Sequence, residues 1–133
     1  RNDFVIQNPR GMNLQCSQWM SHNWKTRADE RTILIYLHGN ASCRKEVLQQ
    51  LSLLFSLGID VVTLDTSGSG HSDGEYVSLG FYEQTDVHVL VKYLQESGKA
   101  GKIAIWGRSM GAATCLLYSG LIAAPDHNIA AII

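Results

Sequence analysis

The sequence has few cysteines, no excess of charge of either sign and no long apolar run. Its three cysteines, Cys16, Cys43 and Cys115, are odd in number and far apart, which fits neither a disulfide framework nor a zinc site. We therefore expect buried free thiols in a reducing compartment. A net charge of -1 without basic clusters gives no electrostatic footprint for nucleic acid. No apolar stretch approaches the ~18 residues that a membrane span needs.

What the sequence does contain is a regular alternation of strand and helix patterns. Two short alternating segments come first, joined by the turn signature Asn8-Pro9-Arg10-Gly11, and they predict an antiparallel hairpin. Continuous apolar runs, typical of strands covered on both faces, then alternate with helical periodicity. The predicted strands are 3–8, 13–20, 32–37, 59–64, 103–106 and one that begins at 129. The predicted helices are 43–57, which Ser42 can cap, about 79–96, and one after residue 109 that Pro125 closes. This order predicts a mostly parallel α/β sheet in one domain.

The pattern Gly-x-Ser-x-Gly occurs twice, around Ser109 and around Ser72. In a nucleophile elbow this pattern joins a strand to a helix, and the turn is so sharp that the positions two before and two after the serine must lack bulk. Ser109 has the apolar run 103–106 before it and an Ala/Leu-rich helical pattern after it. Ser72 has neither, so we interpret it as a loop residue and Ser109 as the candidate nucleophile.

Three motifs together resemble the α/β-hydrolase superfamily over essentially the whole chain. They are His38-Gly39-Asn40-Ala41 after the third strand, Asp65-x-x-Gly68-x-Gly70-x-Ser72 after the fourth, and Gly107-Arg-Ser-Met-Gly111 after the fifth. The variant is similar to Bem-like or serine-aminopeptidase-like hydrolases and to related depalmitoylating thioesterases. The resemblance implies an α/β-hydrolase fold, with helices on both faces of the sheet and an antiparallel N-terminal hairpin. Residues 1–133 would be the N-terminal portion of that single domain, with its C-terminal strands missing.

The resemblance also implies the roles of individual residues. Ser109 would attack the acyl carbonyl of an ester, thioester or amide, in a small-molecule or acylated substrate, and no metal or cofactor is implied. The backbone N–H groups of Met110 and Asn40 would hold the oxyanion, with Ala41 as the alternative to Asn40. The remaining motif residues would shape the surrounding loops: His38, Gly39, Gly107, Gly111 and Asp65.

A base for Ser109 and the acid that orients it are not evident in the sequence. In the family both follow the serine, where Asp126 and His127 are the candidates. The elbow helix carries the chain roughly 18 Å away from the active edge, so we expect both at the opposite end of the sheet. His71 precedes the nucleophile, and His22 and His88 have the character of surface or helix-face residues. We therefore expect the acid and the histidine beyond Ile133, and no activity from these residues alone.

Two other classes of function compete with a serine hydrolase. A non-catalytic scaffold of the same fold would result if no histidine followed. A nucleotide-binding domain built on Gly68-Ser-Gly70 is disfavoured, because Asp73 replaces the third small residue and no helix follows at once. Asn40-Ala41-Ser42 is formally a glycosylation site. A glycan there would block the oxyanion loop, which favours a cytoplasmic protein; membrane association and oligomeric state stay open.

Overall fold

The computed structural model describes residues 1–21, 31–98, 100–122 and 129–133 as a sheet with helices on both faces. The six strands are β1 (Asn2–Gln7), β2 (Asn13–Trp19), β3 (Thr32–Leu37), β4 (Asp60–Leu64), β5 (Lys102–Gly107) and β6 (Ile129–Ile132). The helices are a 3-10 helix (Arg44–Gln49), α1 (Leu51–Ser56), α2 (Glu83–Glu96) and α3 (Met110–Leu121).

The strand order is β1-β2-β4-β3-β5-β6, and it confirms the predicted α/β-hydrolase architecture. The hairpin β1–β2 is antiparallel and joins the sheet through an antiparallel pairing of β2 with β4. The remaining neighbours in the sheet, β4 with β3, β3 with β5 and β5 with β6, are parallel pairs. The chain continues from β3 to β4 on one side and then crosses to β5 on the other side of β3. The order of the strands therefore reverses at β3. In open α/β sheets, ligands bind at the carboxyl ends of the strands beside such a reversal.

Alternate residues of β3 pack into two separate cores, as expected for a strand covered on both faces. Ile33, Ile35 and Leu37 pack with the apolar faces of α2 and α3. Leu34 and Tyr36 point to the opposite face, where the 3-10 helix and α1 contribute Val47 and Leu54. Five of these β3 residues are at most 3 % exposed, so the strand that carries the predicted oxyanion loop is fixed from both sides.

The structure corrects the predicted helix starts. The helix predicted over 43–57 is a 3-10 helix followed by α1, and its N-cap residue is Cys43, with no side-chain capping bond, rather than Ser42. The helix predicted from residue 79 begins at Glu83. Leu79 and Gly80 have φ of 56° and 119°, which a right-handed helix does not allow. Pro125, Asp126, His127 and His22 lie outside the described residues.

All three cysteines lie in the described part of the chain and are free thiols. Cys16 and Cys115 are buried, whereas Cys43 is half-buried, so the expectation of three buried thiols is wrong for Cys43. Burial raises the pKa of Cys115 to about 12 and raises that of Cys16 as well. Neither buried thiol has the character of a nucleophile at neutral pH. Within the described ranges, no helix has the length and apolar character needed to cross a bilayer.

Candidate active site

Ser109 lies at a sharp turn between β5 and α3. Its φ of 53° and ψ of -113° are unusual for a residue with a side chain, and the residue is exposed. A Cβ atom on Gly107 would lie 2.3 Å from the carbonyl group of Gly111. A Cβ atom on Gly111 would lie 2.2 Å from the carbonyl oxygen of Leu37, at the end of β3. The turn therefore depends on glycine at both positions, and it packs directly against β3, the strand that leads to the predicted oxyanion loop.

Two backbone N–H groups near this turn are available to a ligand. Met110 is the first residue of α3, so its N–H has no carbonyl partner within the helix. In the loop after β3, the Ala41 N–H donates to Asn40 Oδ1 at 2.9 Å, and Ala41 adopts a φ of 58°. No hydrogen bond among the described residues uses the Asn40 backbone N–H. Between the two alternatives for the second oxyanion donor, the geometry favours Asn40.

His38 is fully buried, and both of its ring nitrogens contact backbone groups. Nε2 accepts from the Thr66 N–H at 3.3 Å, and Nδ1 lies 2.8 Å from the Gly39 carbonyl oxygen. This pattern assigns the neutral tautomer with the proton on Nδ1, which donates to Gly39. The ring thus joins the loop after β3 to the loop after β4, and neither nitrogen is left to accept a proton from Ser109.

Asp65 is a second buried polar group at this edge of the sheet. Its Oδ1 accepts from the Arg44 N–H at 2.6 Å, and its Oδ2 accepts from the His71 N–H at 2.9 Å and from the Arg44 guanidinium. A Cβ atom on Gly70 would lie 2.2 Å from Oδ2, so the loop wraps closely around the carboxylate. The contacts join the start of the 3-10 helix to the loop after β4.

Ser72 has the contacts of a loop residue. Its hydroxyl donates to the Asp65 carbonyl oxygen at 2.6 Å and accepts from the Gln15 N–H at 2.8 Å. These bonds tie the loop after β4 to β2. The second copy of the serine motif is therefore engaged in structure and lies on no strand–helix turn.

Sequence reasoning missed an ion pair that joins the residue before Ser109 to the 3-10 helix after the predicted oxyanion loop. Arg108 Nε and Nη2 donate to the two carboxylate oxygens of Glu46 at 2.7 and 2.8 Å. Glu46 lies in the 3-10 helix, 62 residues from Arg108 along the chain. Only the position of Arg108 inside the serine motif could have drawn attention to it, and no signal in the sequence indicates its partner.

A groove of about 530 Å³ adjoins the oxyanion loop. It is lined by the three residues after Gly39, by the glycine-rich loop after β4, and by the segment that follows that loop. The lining residues are Asn40, Ala41, Ser42, Gly68, Ser69, Gly70, Glu75, Tyr76 and Val77. The lining thus includes the predicted donor Asn40, whereas Ser109 and Met110 are not among the lining residues.

The sequence that forms these loops was compared with known protein families. The family model described as serine aminopeptidase, S33, matches residues 28–133. The chain belongs to this family. Its members and structural relatives are hydrolases of the α/β-hydrolase fold, and the resemblance inferred from the three motifs is confirmed.

Two related proteins and one solved structure are similar to this chain over most of its length. The chain is 33% identical over 118 residues to the uncharacterized protein YqkD of Bacillus subtilis, covering 88% of this chain and 37% of that protein. It is 30% identical over 97 residues to the lysophosphatidylserine lipase ABHD12 of Danio rerio, covering 71% of this chain and 24% of the lipase. An esterase structure from Pyrococcus furiosus superposes with a TM-score of 0.79 at 26% identity, covering 98% of this chain and 49% of the esterase. The chain thus spans at most about half the length of these three proteins.

Proposed function

We propose that the protein containing this chain is a serine hydrolase that acts on an ester, thioester or amide through an acyl-enzyme intermediate. The observation that carries the proposal is the strained, exposed Ser109 between β5 and α3, at the end of the sheet where β3 presents its loop. Such a turn presents the serine hydroxyl to substrate and aims the N–H groups of the helix start at the same point. An ester is the favoured substrate class, because the named relatives include a lipase and an esterase.

In the proposed reaction, Ser109 Oγ attacks the acyl carbonyl carbon, and its proton passes to a base. The carbonyl oxygen becomes negative and accepts hydrogen bonds from the N–H groups of Met110 and Asn40. Collapse of this intermediate expels the leaving group, which takes up the proton, and leaves the acyl group on Ser109. A water molecule then attacks the acyl group by the same route, which releases the acid and restores the serine.

The base is expected from the part of the protein that follows residue 133. Among the histidines of the described residues, His38 is engaged with two backbone groups. His71 is exposed on the loop after β4, and His88 lies on α2, with its ring 6.4 Å from that of Tyr118. None of these positions supports the family arrangement, in which the histidine follows the serine. We therefore propose that a histidine and a carboxylate from later strands complete the site.

A fluorophosphonate probe tests the proposal on the full-length protein. Attack of Ser109 Oγ on phosphorus expels fluoride and leaves a stable phosphonyl serine, which mass spectrometry locates in the peptide that contains residue 109. We expect labelling of the wild-type protein and none in Ser109→Ala, with Ser72→Ala as the matched control in the second copy of the motif. A folded full-length protein that takes no label, or a label that persists in Ser109→Ala, would contradict the proposal and favour a non-catalytic scaffold.

A further inference from the structure

The carboxylate of Glu46 accepts hydrogen bonds both from the residue before Ser109 and from the predicted oxyanion loop after β3. Its Oε1 accepts from Arg108 Nε at 2.7 Å and from the Tyr36 hydroxyl at 2.8 Å. Its Oε2 accepts from Arg108 Nη2 at 2.8 Å and, at a longer 3.4 Å, from the Gly39 N–H. One side chain therefore bonds both to the residue before Ser109 and to the residue before Asn40.

Arg108 also fills the space above Gly39. A Cβ atom on Gly39 would lie 3.1 Å from Arg108 Nη2, closer than most such contacts allow. The Arg108 backbone N–H donates to the Leu37 carbonyl oxygen at 3.1 Å, so main chain and side chain both reach the end of β3. A side chain at position 39 would therefore press on the end of the guanidinium, which would have to move by a few tenths of an ångström.

The exposure of the pair indicates that global stability is not its main effect. The Arg108 side chain is 60% exposed and that of Glu46 14%. Ion pairs open to solvent on one side add little to the free energy of unfolding. The two parallel hydrogen bonds nevertheless fix the relative orientation of the two planar groups. The hydrogen bonds from Arg108 are the main cause that lowers the pKa of Glu46 to about 2, so the carboxylate stays charged at neutral pH.

We propose that Arg108 and Glu46 are positioning residues that hold the Asn40 N–H and the Ser109 hydroxyl in the relative placement that attack requires. The inference rests on the proposed serine-hydrolase function. Neither side chain is assigned contact with the reacting atoms: Arg108 directly precedes the nucleophile, and Glu46 bonds to the backbone directly before the donor residue. A loop that shifts by about 1 Å can cost on the order of 100-fold in rate. The ion pair is the side-chain link that prevents such a shift.

The test measures the second-order rate constant for fluorophosphonate labelling of Ser109 in the full-length protein, together with thermal melting. Arg108→Ala and Glu46→Gln should each slow labelling about 10- to 100-fold while the melting temperature stays close to that of the wild type. Arg108→Lys keeps the charge but loses the paired donors, so it should fall between Arg108→Ala and the wild type. Lys45→Ala is the matched control, because it removes an exposed cation beside Glu46, and it should label at the wild-type rate.

A double variant separates positioning from two independent effects. Because both residues act through one contact, Arg108→Ala combined with Glu46→Gln should label no more slowly than the slower single variant. Wild-type labelling rates in both single variants, or losses that multiply in the double variant, would overturn the proposal. So would a loss of labelling that only follows a loss of folded protein. These outcomes leave the proposed function standing, whereas wild-type protein that fails to label at Ser109 contradicts that function itself.

Discussion

Gly111 and Gly120 lie in the same helix, α3, but their surroundings differ completely. A Cβ atom on Gly111 would lie 2.2 Å from the carbonyl oxygen of Leu37 and 2.9 Å from its Cβ atom. A Cβ atom on Gly120 would meet nothing within 4 Å. Since the group that Gly111 would strike is backbone of the central strand, it has little freedom to move aside. The serine motif includes Gly111 and not Gly120. It does not indicate how much free energy of unfolding a side chain at either position would cost.

This contrast gives a prediction at the scale of single residues. Gly111→Ala should lower the free energy of unfolding by roughly 1–3 kcal/mol, because the added methyl group overpacks the contact between α3 and β3. Gly120→Ala should instead raise it by roughly 0.5–1 kcal/mol, because alanine restricts the unfolded chain more than glycine does. Urea denaturation followed by circular dichroism measures both. Equal effects of the two substitutions would contradict the packing described for the elbow.

The sequence motif predicted the sharp turn at Ser109 and its flanking glycines, but it could not predict the side chains that connect this turn to the loop after β3. Gly107 and Gly111 follow from the geometry of a strand–helix turn, which local spacing encodes. The pairing of Arg108 with Glu46 joins residues 62 positions apart on different elements. Such a contact depends on where β3 and β5 lie in the sheet, and one sequence alone carries no pattern for it. The same holds for the choice between Asn40 and Ala41, which depends on a single side-chain hydrogen bond.

At the scale of elements, one buried carboxylate joins the hairpin turn, the loop after β4 and α2. Asp86 lies in α2 and is fully buried. Its Oδ1 accepts from Asn8 Nδ2 at 2.7 Å and from Arg10 Nη2 at 3.4 Å, and its Oδ2 accepts from the Ser67 N–H at 2.8 Å. The antiparallel hairpin, which turn chemistry predicted, is therefore attached to the parallel part of the fold by polar contacts as well as by the pairing of β2 with β4.

Removal of this carboxylate should weaken the fold strongly. We expect Asp86→Ala to lower the free energy of unfolding by on the order of 3 kcal/mol, because it leaves the buried Asn8 amide and the buried Ser67 N–H without their acceptor. The matched control in the same helix is Glu96→Ala, whose exposed pair with Lys92 at 3.9 Å contributes under about 0.5 kcal/mol. Thermal or urea unfolding of both variants measures the difference. An Asp86→Ala variant as stable as Glu96→Ala would show that the hairpin does not depend on this cluster.

Helix and strand identity was predictable for every main element, whereas two helix starts were not. The continuous apolar runs marked β3, β4 and β5 because both faces of these strands are buried. The start of α2 was placed too early because Tyr82 and its neighbours continue an apolar periodicity. The Glu83 carboxylate accepts from the N–H groups of Ser78 and Gly80 at 2.7 and 2.8 Å, which holds that segment in a turn instead. Side-chain hydrogen bonds of this kind can make a helix begin later than its apolar periodicity indicates. The periodicity alone does not reveal them.

At the scale of the whole molecule, the two edges of the sheet differ in how they are protected. On β1, the exposed Val5 lies near charged groups: Asp3 Oδ1 accepts from Nε of Arg1, the residue before the strand, at 2.7 Å. On β6, the residues are Ile-Ala-Ala-Ile and three of the four are exposed. Within the described residues β6 pairs with β5 alone. An apolar strand edge without charges is a site for pairing with another chain.

A polypeptide made of residues 1–133 should therefore associate through β6 and not through β1. The measurement is the molar mass by light scattering during size-exclusion chromatography, at increasing protein concentration. Ile132→Lys places a charge on the exposed edge and should shift the polypeptide towards monomer, because a charge there would have to be desolvated when two edges pair. Val5→Lys adds the same charge at an exposed apolar position on the opposite edge and should leave association unchanged. A monomer at every concentration, or equal suppression by both substitutions, would show that β6 is not the associating edge.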